Sequence, residues 1–273
     1  GKSVIIGYEA GAGANMNSQD TDGTVAVGHS ALKALVDGIG NVAVGYEALL
    51  SEDTGDGNTA VGYRALKLCN GADDNGNTAV GYKSLATLGA GVGSTAVGYQ
   101  SGQACNANDA NTSVGYNSLQ NIGHADGDGN VAIGYYAMRS AGTAANNTAA
   151  NNVGVGSNAL LDITTGAQNV ALGYRTLANI TSGDYNIGIG IDALFTETVG
   201  NGSTAIGISA LYTQAVGSDT SSYNTAVGFQ TGYYNSTGIG NTWLGHMAGH
   251  GASGNNSNNV GIGRAALSAI TSG

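Results

Sequence analysis

Asn41-Val42-Ala43-Val44-Gly45-Tyr46-Glu47-Ala48-Leu49 is answered 17 residues later by Asn58-Thr59-Ala60-Val61-Gly62-Tyr63-Arg64-Ala65-Leu66. The pattern recurs along the whole 273-residue chain. Its closing glycines are Gly7, Gly28, Gly45, Gly62, Gly81, Gly98, Gly115, Gly134, Gly156, Gly173, Gly190, Gly207, Gly228, Gly245 and Gly263. The base spacing is 17 residues, and longer spacings of 18 to 22 place their excess between motifs. A short unit repeated at fixed period cannot bury a face alone and must stack on its neighbours.

The columns of the repeat are strict. Four residues before each glycine stands Asn, Ser or Thr; three before, a β-branched residue; one before, Val, Ile or Leu. Four after stands Leu or Met in eleven copies and Gly in the other four. β-Branched residues favour extended backbone, and alternate residues of a strand share a face. The spacing therefore predicts an all-β, parallel β-solenoid of about fifteen coils of about 17 residues, one strand per coil. The aliphatic columns three and one before the glycine are assigned to the interior, with Leu at the fourth place after it as a second wall. At roughly 4.8 Å per coil, the array is a rod on the order of 70 Å long. Segments such as Asp53-Thr54-Gly55-Asp56-Gly57 read as turns.

The column two before the glycine is then expected to point outward. It reads Ala26, Ala43, Ala60, Ala79, Ala96, Ser113, Ala132, Gly154, Ala171, Gly188, Ala205, Ala226 and Gly261, with Ile5 and Trp243 as exceptions. A ladder of small residues on an outer face implies close approach of identical chains around an axis, and so a homotrimer with three chains per rod.

Composition narrows the function classes. Charged residues make up 10% of the chain and the net charge is −10, with 8 Lys plus Arg. Phosphate-backbone binding needs clustered cations, so nucleic acid is not an expected partner. No apolar run reaches the roughly 18 residues of a membrane span. Proline is absent, which suits a chain that uses its backbone N–H groups in a continuous ladder. The opening Gly-Lys-Ser carries no initiator Met or signal peptide. Joining the end to the start puts Gly263 and the next Gly7 in register, 17 apart. Both features suggest one repeat domain, residues 1–273, cut from a longer fibre or stacking end to end on an uncapped edge.

Asn41-Val42-Ala43-Val44-Gly45 and Asn130-Val131-Ala132-Ile133-Gly134 resemble the head repeat of YadA-like trimeric autotransporter adhesins, over essentially the whole chain. Asn-Thr-Ala-Val-Gly-Tyr-x-Ala-Leu arrays are also similar to those of phage tail-fibre-like proteins. The resemblance implies a left-handed parallel β-roll, three chains per rod and surface attachment. This sequence departs in its longer period and in its Tyr after the glycine (Tyr46, Tyr63, Tyr82, Tyr99, Tyr116), and it shows no neck, stalk or anchor.

Cys69 and Cys105 both lie seven after a motif glycine, two coils apart. At the usual strand spacing that is about 9.6 Å, beyond disulfide reach. They are read as unbonded fillers of a column that elsewhere holds Leu35, Leu88, Ile122, Ile163 and Ile180.

No catalytic constellation stands out, and the chain is not expected to be an enzyme. His246 and His250 are four apart without the Glu of a zinc-protease motif. No cofactor is implied; calcium at turns such as Asp126-Gly127-Asp128-Gly129-Asn130 or Asp73-Asp74-Asn75 is the nearest approach, without the Gly and Glu of an EF-hand. Recognition is assigned to the inserts 11–23, 141–151 and 212–223 and to Tyr233, Tyr234, Trp243, His246 and His250 as candidate ligand contacts.

The expected function is therefore a homotrimeric extracellular fibre segment, on a bacterial surface or a virion tail fibre, that attaches through an unnamed receptor or glycan. A self-stacking structural filament without a ligand is the alternative. An ice-binding solenoid is a third reading, suggested by Thr59, Thr78, Thr95 and Thr112 but opposed by their assignment to the buried face.

Overall fold

The computed structural model describes residues 2–13, 21–71, 75–106, 109–124, 126–140, 142–217, 221–251 and 256–270. The fold is an all-β solenoid of fifteen parallel strands, each three residues long. The chain divides into two units, Gly1–Asn130 with Thr143–Thr148, and Val131–Gly142 with Ala149–Gly273. The first holds β1 (Val4–Ile6), β2 (Val25–Val27), β3 (Val42–Val44), β4 (Thr59–Val61), β5 (Thr78–Val80), β6 (Thr95–Val97) and β7 (Thr112–Val114). A short 3-10 turn, Ala144–Asn146, belongs to its insert. The second holds β8 (Val131–Ile133), β9 (Val153–Val155), β10 (Val170–Leu172), β11 (Ile187–Ile189), β12 (Thr204–Ile206), β13 (Thr225–Val227), β14 (Thr242–Leu244) and β15 (Val260–Ile262).

Within each unit every strand pairs with its sequence neighbour, column on column. Val42, Ala43 and Val44 face Thr59, Ala60 and Val61; Val170, Ala171 and Leu172 face Ile187, Gly188 and Ile189. The register survives a 21-residue spacing, as between Thr204 and Thr225, because the surplus is looped out between strands.

The alternation of faces is the reverse of the expectation. Ala26, Ala43, Ala60, Ala79, Ala96, Ala132, Ala171, Ala205 and Ala226 are fully buried inside their own chain. They are core, not an oligomer-axis ladder. The β-branched and aliphatic residues on either side point outward, half-buried or exposed. Thr59, Thr78, Thr95 and Thr112 thus stand on the outward face as well. The reason is volume. A 17-residue coil is thin, and its interior is already filled by Leu32, Leu49, Leu66 and their equivalents together with Leu35, Leu88, Ile122, Ile163 and Ile180. Only a methyl group fits opposite them.

The exceptions obey the same rule. Trp243 occupies an Ala column and is fully buried. Its indole uses the space of two missing leucines: a Cβ on Gly232 or Gly249 would lie 2.7 or 2.6 Å from its ring atoms. Ile5 is matched likewise by Gly11, where a Cβ would lie 3.0 Å from the Ile5 Cδ1. These positions have left-handed backbone, φ 61° at Gly232 and 48° at Leu49. Glycine adopts that conformation freely, whereas each leucine there is held against a cost of about 1–2 kcal/mol by the burial of its side chain.

The closing glycine is obligatory for another reason. At Gly45 φ is 140°, and a Cβ would collide with the carbonyl oxygen of Gly62 in the next coil. The Asn column is a buried ladder. Asn41 donates from Nδ2 to the Gly55 carbonyl (2.6 Å), and its Oδ1 accepts the Asn58 backbone N–H (2.9 Å). Asn169 does the same with Gly183 and Asn186. Ser or Thr can stand in this column because a short polar side chain is what the turn requires.

Candidate functional site

No concave pocket opens among the described residues, so the candidate sites are columns on the surface. The most regular is the one directly after the glycine in the first unit. Tyr46, Tyr63, Tyr82, Tyr99 and Tyr116 stack face to face, with centroids 4.9–5.2 Å apart and ring planes within 6–10°. His29 extends the stack at 5.0 Å and Tyr8 tilts onto it at 5.2 Å. The parallel ladder imposes this geometry, since one ring per coil must repeat at the strand spacing. Because the faces cover one another, solvent meets ring edges and phenol groups.

Charges flank the stack. Glu47 accepts bonds from Arg64 Nε (2.8 Å) and Lys67 Nζ (2.9 Å). Burial pushes the Glu47 carboxyl up, but the bonds from Lys67, Arg64 and Tyr46 outweigh it and hold the pKa down at about 2. The Arg64 guanidinium lies 5.0 Å from the Tyr63 centroid, and the Lys83 ammonium 5.3 Å from that of Tyr82. Tyr46 is itself shifted up, chiefly by its bond to Glu47.

The five sequence-predicted contact residues separate into three environments. Tyr233, Tyr234 and His250 come together: Tyr233 stacks between Tyr212 (5.0 Å) and His250 (5.5 Å), and Tyr234 stands edge-on to both Tyr233 (4.7 Å) and His250 (5.2 Å). Phe195 continues this second stack at 5.3 Å from Tyr212, capped by the Arg175 guanidinium at 4.6 Å. His246 belongs to another column, on Phe229 at 5.4 Å. Trp243 is inside the coil, fully buried in its own chain. The inserts fall partly outside the described residues, as do Asp73, Asp74 and both chain ends.

The turn carboxylates act as staples. Asp56 accepts the Ile39 N–H, Asp109 that of Val92, Asp128 that of Asp109 and Asp184 that of Ala167, all at 2.5–2.8 Å. Among the described residues no group of three His, Cys, Asp or Glu is placed to hold a metal. Cys69 and Cys105 are free and buried; burial pushes the Cys105 thiol up to about 12.

Two features are not foreseen by the motif columns alone. One is the tyrosine stack, whose signal is the repeated Tyr after the glycine. The other is a pair of buried carboxylates in the column of Leu35: Glu52, bonded by the Gly55 N–H (2.7 Å), and Glu197, bonded by the Gly200 N–H and Gln214 Nε2 (both 2.8 Å). No family model, curated protein or solved structure matches this chain.

Proposed function

We propose that the chain is a segment of a homotrimeric extracellular attachment fibre, of the kind borne on bacterial surfaces or virion tails. The observation that carries the proposal is the outward face of β8–β11. Its eight outward positions are Val131, Ile133, Val153, Val155, Val170, Leu172, Ile187 and Ile189, every one apolar. Ile133, Leu172 and Ile187 remain 37–39% exposed. A contiguous apolar strip of this kind on a soluble protein marks an interaction surface, and identical straight strips associate by rotation about an axis. The alanine ladder no longer argues for the trimer; this strip replaces it. Tyr233, Tyr234 and His250 supply the ligand contact, where edges of rings and an imidazole meet solvent.

Light scattering tests the assembly. The intact chain is expected at three times its 26.8 kDa mass. The Val170→Lys/Ile187→Lys variant is expected at one times that mass with an unchanged melting curve. A monomeric parent chain sinks the trimer.

A further inference from the structure

The outward face of β4–β7 differs from that strip in one column. Thr59, Thr78, Thr95 and Thr112 pair strand to strand in unbroken register, each two residues before an outward valine. Among the described residues, no hydrogen bond within the chain engages any of these four hydroxyls. Rows of hydroxyl and methyl groups therefore run side by side, repeating at roughly the 4.8 Å strand spacing.

The coils behind the patch do not tilt against one another: the tyrosines that follow these same strands, Tyr63, Tyr82, Tyr99 and Tyr116, stack with ring planes within 6–7° of parallel from one coil to the next. The strands are hydrogen-bonded one to the next, and the polar column before them, Asn58, Asn77, Ser94 and Asn111, is buried.

Charge narrows the partner. The chain carries 18 acidic and 8 basic residues, yet neither outward column holds a charged residue in any of the fifteen coils. A charged polymer finds no complement there. An apolar partner would bury the threonine hydroxyls without hydrogen bonds, a penalty that disfavours it. An uncharged solid lattice of donors and acceptors satisfies the hydroxyl row while the methyl row excludes disordered water. We propose that this face binds the surface of crystalline ice, through ordered water held on the threonine and valine rows. The inference is independent of the fibre reading.

The test is nanolitre cryoscopy on a single ice crystal, with the intact chain and with the monomeric Val170→Lys/Ile187→Lys variant. A gap between melting and freezing points and faceted growth are expected. The Thr78→Lys/Thr95→Lys variant should lose at least tenfold of that gap, while Thr225→Lys in β13 keeps it; circular dichroism melting checks that all remain folded. Activity in the monomeric variant alone would still support the proposal, with the face covered in the assembly. Smooth crystals without a gap in both proteins, or a folded Thr78→Lys/Thr95→Lys variant equal to its parent, would overturn it.

Discussion

Strands β4–β7 and β8–β11 have the same backbone, the same register and the same inward column of small residues. Inward stand Ala60, Ala79, Ala96 and Ser113 in one, Ala132, Gly154, Ala171 and Gly188 in the other. Outward, one shows a threonine row and the other only Val, Ile and Leu. The fold therefore constrains its inward column far more than its outward one. Inside the coil the two large inward residues, Ile5 and Trp243, stand against glycines where the leucine column is interrupted. Outside, any β-branched residue suffices, because its task there is to favour extended backbone. The outward column is thus free to carry function, hydroxylated in one region and apolar in the other.

The inward column can be tested at Trp243. Trp243→Ala removes the indole while Gly232 and Gly249 leave its space unfilled, and should cost about 3–5 kcal/mol, read as a lowered midpoint in denaturant unfolding. Restoring the usual columns with Gly232→Leu and Gly249→Leu in the same chain should recover most of the loss. The two leucines added to the parent, against the intact Trp243, should instead destabilise by overpacking. If the triple variant is no more stable than Trp243→Ala alone, inward volume is not what ties these columns together.

That compensation is visible in the sequence and marks how far a sequence of this kind can be read. The 17-residue period, the closing glycine and the parallel register all follow from column identity, and the structure has them. The cysteines are legible too, because they replace Leu and Ile in one column. Alternation, however, says only that Val42 and Val44 share a face, not which face is inside. Choosing by hydrophobicity places the larger side chains in the core. The pairs Trp243 with Gly249 and Ile5 with Gly11, each a large residue six positions before a glycine in the leucine column, carry the opposite answer. For the surface, sequence clustering joins Tyr233, Tyr234 and His250 correctly but adds Trp243 and His246, since proximity along the chain does not reveal the column's direction.

A smaller effect should appear on acidification, and it belongs to the first unit. The Glu47 pKa is held below its ordinary value, at about 2. Its pairing with Arg64 and Lys67 therefore stabilises the fold fully above the ordinary carboxylate range near 4.5 and is lost as pH falls through 2. Exposed ion pairs contribute at most about 1 kcal/mol. Melting temperature followed from about pH 6 to about pH 2 should fall less steeply for Glu47→Gln than for the parent, the two curves converging at the acid end. Parallel curves through that window would remove Glu47 as a source of acid sensitivity.

The smallest effect on stability is the sharpest on the comparison itself. Exchange the outward columns by Thr78→Val with Thr95→Val in one region and Val153→Thr with Val170→Thr in the other. Each replacement keeps the β-branch and leaves the inward Ala or Gly untouched, so unfolding midpoints should stay within about 0.5 kcal/mol of the parent per site. The surface chemistry should move with the side chains: the threonines introduced on β9 and β10 weaken association measured by light scattering, because each buries a hydroxyl without a partner. The valines on β5 and β6 reduce the ice-growth effect without altering the mass. If either pair of substitutions unfolds the chain, the outward column is part of the fold's requirement after all. If stability and both surface readouts are unmoved, the two faces are chemically equivalent and the contrast between hydroxyl and apolar rows has no functional meaning.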